Sequence, residues 1–212
     1  MRTLVPLALC SIILAVLSST ASAVDSVRET RTVPAFHGIS VETVADLDVT
    51  IGPVTKVEVS APKDALAKLE TVVEHGSLQL RAPGFRRDSG VTFKVSITTP
   101  SLDAIAISGV SNVHVAGLHA KELALAVDGA AEFHISGSAD SLALAISGAA
   151  ELDLQSLATH DTALQISGVI SGAVRADRSV AASISGTGTI DVYGKPKSVT
   201  RAISGMATLT ER

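Results

Sequence analysis

The chain has almost no cysteine and almost no aromatic side chains. Its one cysteine, Cys10, lies in an N-terminal apolar run, so residues 24–212 contain neither a disulfide framework nor a thiolate centre. Tryptophan is absent, tyrosine occurs once, and aromatic residues make up 2% of the sequence. Sugar-cleaving grooves normally offer rings for the substrate to stack on, so this scarcity weighs against a glycan-active enzyme. Basic residues do not cluster: 17 Lys and Arg stand against 21 Asp and Glu, for a net charge of −4. That balance excludes an electrostatic nucleic-acid interface. No apolar run reaches the ~18 residues needed to cross a bilayer, and the Gly-Gly-x-Gly-x-Asp nonapeptide of calcium-binding repeat proteins does not occur.

Residues 1–23 read as a cleaved secretory signal peptide. Arg2 supplies the basic start, residues 4–17 the apolar centre, and Ala21-Ser22-Ala23 the small-x-small cleavage pattern. Residues 24–212 then form one domain, exported to the periplasm or cell surface and without a membrane span.

Glycine, with 16 residues, is plentiful, and it recurs in a pattern. From residue 101 the chain repeats Ser108-Gly109, Asp128-Gly129, Ser147-Gly148, Ser167-Gly168, Ser185-Gly186 and Ser204-Gly205. A short alternating run precedes each pair, such as Leu-Ala-Leu-Ala-Ile at 142–146, and a second follows most of them. Period-2 alternation specifies strands, and each repeated glycine (Gly109, Gly129, Gly148, Gly168, Gly186, Gly205) reads as a structural turn. A unit of about 20 residues that cannot bury its own apolar face must stack on its neighbours. The expectation is an all-β fold, a β-solenoid with at least two strands per rung. Ile105, Ile107, Leu125, Leu144 and Leu164 would form one inward wall, and Val113, Val115, Phe133, Ile135 and Leu152 the other.

Residues 24–100 carry no such repeat. Residues 24–32 are polar and predict a frayed end, and alternating strands follow from Val33. Leu66, Leu69 and Val73 fall at helical spacing and predict one short helix near 63–74. Strands resume at Leu78 and again at Phe93 to Ile97, and the sheets are expected to continue from this segment into the 101–212 array.

Two outward columns of the array differ in chemistry. One is alanine-rich, with Ala124, Ala126, Ala143 and Ala145 at positions where exposed strands usually carry polar side chains. A flat face of methyl groups suits packing against another protein, so these four are candidate oligomer-interface residues. The other column gathers His114, His134 and Asp153, flanked by Glu132 and Glu151. Stacked imidazoles and carboxylates can ligate a divalent ion, and Glu132 and Glu151 could act as a glycosidase carboxylate pair. A solvated polar face is the simpler reading. No His or Asp recurs beside the serines to make a catalytic triad, so neither catalytic residues nor a cofactor is expected.

The order of motifs resembles a known family. Phe36, Ile39 and Val41 are followed by Val95, Ile97, Pro100, Leu102, Ile105, Ile107 and Gly109, then by the Ser-Gly units, Tyr193-Gly194-Lys195-Pro196 and a last Ser-Gly. This is similar to the auto-transporter adhesin head GIN domain family of bacterial envelope proteins. The sequence departs from the family pattern at Asp128 and at Val169-Ile170. The resemblance implies a right-handed parallel β-helix, assembly as a homotrimer, and an adhesive or scaffolding role toward envelope proteins or glycans. The alternatives are a polysaccharide-acting β-helix enzyme and a metal- or ligand-binding periplasmic protein.

Overall fold

Alternating apolar and polar residues make strands throughout the computed structural model, which describes residues 26–84 and 90–212. The proposed signal peptide at 1–23 lies outside the described residues. In chain order the elements are β1 (Ser26–Arg31), β2 (Gly38–Val41), β3 (Val44–Ile51), β4 (Lys56–Pro62), α1 (Lys63–Leu66), β5 (Glu70–Glu74), β6 (Ser77–Arg81), β7 (Phe93–Thr99), β8 (Ala104–Ile107), β9 (Val110–Val127), β10 (Ala130–Asp153), β11 (Leu157–Tyr193) and β12 (Ser198–Glu211).

Successive repeats pair in parallel and in register. Leu125 lies beside Leu144 and Leu144 beside Leu164, while Val113 lies beside Phe133 and Val115 beside Ile135. Every residue named above for the two inward walls is buried, at 3% exposure or less. These side chains join those of β2, β3, β4, β6 and β7 in one hydrophobic core running from Phe36 to Leu209. Burying each large apolar side chain contributes roughly 1.5–3 kcal/mol, so the stacking of repeats holds the chain together.

The right-handed parallel β-helix expected from the sequence is corrected. The strands form one mixed, barrel-like sheet that is nearly closed, and three of its pairings are antiparallel: β1 with β4, β4 with β7, and β5 with β6. The all-β part of the expectation fits. Alternation specifies which face is buried, but it does not specify the direction of the neighbouring strand. Residues 24–100 lack the repeat that sets a uniform parallel register, and there parallel pairs (β2 with β6, β3 with β7) stand beside the antiparallel ones.

Two local expectations fail for the same reason. The helix near 63–74 shrinks to the four residues of α1, and Glu70–Glu74 is a strand. Thr71, Val72 and Val73 are β-branched, and His75 and Gly76, with φ of 52° and 77°, close a two-residue hairpin onto β6. The polar start is not frayed either: Ser26–Arg31 pairs along β4 from Ser26–Pro62 to Arg31–Val57.

Several Ser-Gly pairs are not reversals. β10 runs unbroken through Ser147-Gly148, and β11 through Ser167-Gly168 and Ser185-Gly186. At Gly148 the need for glycine is close approach: a Cβ there would overlap the carbonyl oxygen of Gly129 in the preceding repeat. Gly129, Gly168, Gly186 and Gly205 meet the preceding repeat in the same way.

Candidate functional site

Two outward faces of the sheet carry the residues singled out by the sequence. On the first, register aligns Ala104, Ala124, Ala143 and Ala163, and beside them Ala106, Ala126, Ala145 and Gln165. Ala124, Ala126, Ala143 and Ala145 are all exposed. The surface is concave, a shallow trough of about 710 Å³ lined by Ala126 and Ala145 and by the column Ser108, Asp128, Ser147 and Ser167.

The second face carries the polar residues. His134 is clamped: Nε2 lies 2.8 Å from Glu132 Oε1, and Nδ1 lies 3.4 Å from Asp153 Oδ2. The hydrogen bond to Glu132, aided by Asp153, raises the imidazole pKa above its ordinary value, with partial desolvation opposing. His114 is next to His134 in the ladder but shares no hydrogen bond with it, and Glu151 joins no ion pair among the described residues. The structure therefore brings together three of the five residues proposed as metal ligands. No group of three or more His, Cys, Asp or Glu among the described residues has a geometry that could hold a metal ion. A carboxylate pair for acid–base work needs environments that push the two pKa values apart. Glu132 instead spends an oxygen on His134, and its side chain is 42% exposed.

The polar face extends further than the sequence suggested. β3 lies between β9 and β7, and β7 lies beside β4, which is followed by β1. Register therefore continues the His134–His114 row through Asp48, Ser96 and Glu58. The neighbouring row runs from Glu132 through Asn112, Asp46, Lys94 and Ser60 to Arg28. Together they border a groove of about 460 Å³, with Leu47, Val95 and Val113 also in its lining. Asn112 Nδ2 donates to Asp46 Oδ1 at 3.2 Å, and Lys56 Nζ holds Glu58 at 2.9 Å, which with Arg28 lowers the pKa of Glu58. Lys94 and Asp48 join no ion pair among the described residues. Arg28, Asp46, Asp48, Glu58 and Lys94 were missed by the sequence reading. Asp46, Asp48, Glu58 and Lys94 occupy the polar phase of alternating strands, which was a usable signal, whereas Arg28 lies on the polar, exposed β1 and had none. The spatial order of those strands was not written in the sequence.

A third cluster ties repeats at their outer edge. Arg178 and Ser179 both donate to Asp161 and hold its carboxyl well below the usual carboxylate range, while His160 Nδ1 lies 2.8 Å from Asp177 Oδ1. The cluster's charges are paired with one another across one repeat, which suits a staple between repeats.

Known proteins share this build. A putative adhesin from Bacteroides fragilis superposes with a TM-score of 0.67 at 20% identity, over 89% of this chain and 97% of that one. A putative adhesin from Parabacteroides merdae gives 0.56 at 14% identity over 88% and 96%, and another from Parabacteroides distasonis gives 0.55 at 18% over 89% and 97%. At these identities the likeness is one of fold. No curated protein matches the sequence. The family described as putative auto-transporter adhesin, head GIN domain, matches residues 35–196, from just before Phe36 to Pro196 and through nearly the whole repeat array. With its motifs in order and its repeats stacked, the chain belongs to the putative auto-transporter adhesin, head GIN domain family.

Proposed function

We propose that this chain is a non-catalytic adhesive or scaffolding module of the cell envelope, exported to the periplasm or cell surface. It works as a homo-oligomer, a trimer, joined through the face bearing Ala124, Ala126, Ala143 and Ala145. Membership of an adhesin family supports the adhesive class. The observation that carries the reading is the aligned alanine face itself. Four exposed alanines stand in register on one sheet face, and two of them, Ala126 and Ala145, line its shallow trough. Short side chains let another sheet approach closer than the usual ~10 Å, and closed symmetry would bury the face once per protomer.

The test is light scattering on residues 24–212 at tens of micromolar. A trimer mass is expected for the wild type, and a monomer of unchanged circular dichroism for Ala126→Arg/Ala145→Arg. A monomeric wild type would overturn the assembly.

A further inference from the structure

The polar groove has unused binding capacity of two kinds. Arg28 and Lys94 flank Ser60 on adjoining strands and present two cations on one row. Asp48 and His114 stand side by side on the next row, two residues further along their strands. At roughly 3.3 Å per residue the rows are about 7 Å apart. Among the described residues neither Lys94 nor Asp48 is spent on an ion pair, although Lys94 is directly across from Asp46 in the ladder. The groove therefore sets cationic donors beside carboxylate, amide and imidazole acceptors on one polar face, with the side chains of Leu47, Val95 and Val113 turned away into the core.

From this geometry we propose that the groove binds an acidic saccharide. A sugar acid presents the matching groups within one or two rings: a carboxylate for Lys94 and Arg28, and hydroxyls for Asp48, Asp46 and Asn112. Charge-assisted hydrogen bonds to a carboxylate are among the strong ones. A peptide fits less well, because the groove offers no separate apolar pockets for alternate side chains. A glycan chain laid across the strands would meet a new polar side chain roughly every 4.8 Å. With no aromatic ring to stack on, each site is expected to be weak, with affinity gained by presenting several sites at once. The inference concerns a different face from the alanine trough and stands or falls separately from the trimer.

Titration calorimetry of residues 24–212 with a galacturonic acid hexamer tests it, with a neutral maltohexaose and a hexaglutamate peptide as controls. Binding of the acidic hexamer is expected at millimolar concentrations or below. Lys94→Ala should weaken it by about tenfold, Asp48→Asn should weaken it several-fold, and about 0.5 M salt should weaken it in the wild type. Both positions are exposed, and unchanged thermal melts would verify folding of the variants. No heat at about 10 mM hexamer would overturn the proposal. So would equal binding of the neutral hexamer or of the peptide, or undiminished binding by Lys94→Ala and Arg28→Ala.

Discussion

His134 shows how one side chain links the stack to pH. Its pKa is raised in the folded protein because Glu132 and Asp153 favour the imidazolium. The folded state therefore binds the proton more tightly than the unfolded chain. The stabilisation is fully present below the unfolded value of about 6.5 and is lost as pH rises through the raised folded value. The side chain is 44% exposed, so solvent screening holds the effect to under about 1 kcal/mol. Thermal melts at pH 6 and pH 8.5 should show the wild type losing more stability across that interval than His134→Gln. Equal losses would remove the clamp as a source of pH dependence. The sequence placed His134 and Asp153 in one outward column with Glu132 beside them because period 2 and a repeat near 20 residues suffice for that. It could not say which pairs would bond, since rotamers decide whether Glu132 or Glu151 reaches the ring.

At the scale of elements, the hairpin of β5 and β6 is the instructive case. Helical spacing of Leu66, Leu69 and Val73 competes with a β-branched run and a turn at His75-Gly76. Tertiary pairing with β2 through β6 settles the competition in favour of strand. Gly76 is held there twice, by its positive φ and by the ring of His37, which a Cβ would strike. Gly76→Val should cost roughly 1–3 kcal/mol through backbone strain, read as a lower melting temperature with the β-rich circular dichroism kept. No change in melting would mean that the hairpin adds nothing to the sheet. Hairpin closure needs only neighbours in sequence, which is why it wins where the long-range repeat is missing.

Across the whole molecule, one core joins the N-terminal strands to the repeat array. A charge placed in its middle cannot be confined to one repeat. Leu144 is 2% exposed and lies between Leu125 and Leu164 in the ladder. Leu144→Asp should unfold residues 26–84 and the array together, because an unpaired buried carboxylate costs more than the marginal stability of a domain. A soluble variant with unchanged dichroism and melting would refute the inward assignment of that column. The same unity explains the polar groove. Its cations come from β1 and β7 and its acids from β3 and β4, so no stretch of sequence contains it.

The sequence by itself determined the all-β class, the inward and outward faces, the register of one repeat on the next and the family. Those properties are periodic, and a period can be read along a chain. Tertiary structure alone decided the antiparallel pairings of the N-terminal strands, the nearly closed mixed sheet in place of a parallel β-helix, and the meeting of Arg28, Lys94 and Asp48. Strand direction and strand order depend on which edges are free to pair once the core collapses, and side-chain alternation is the same for either direction.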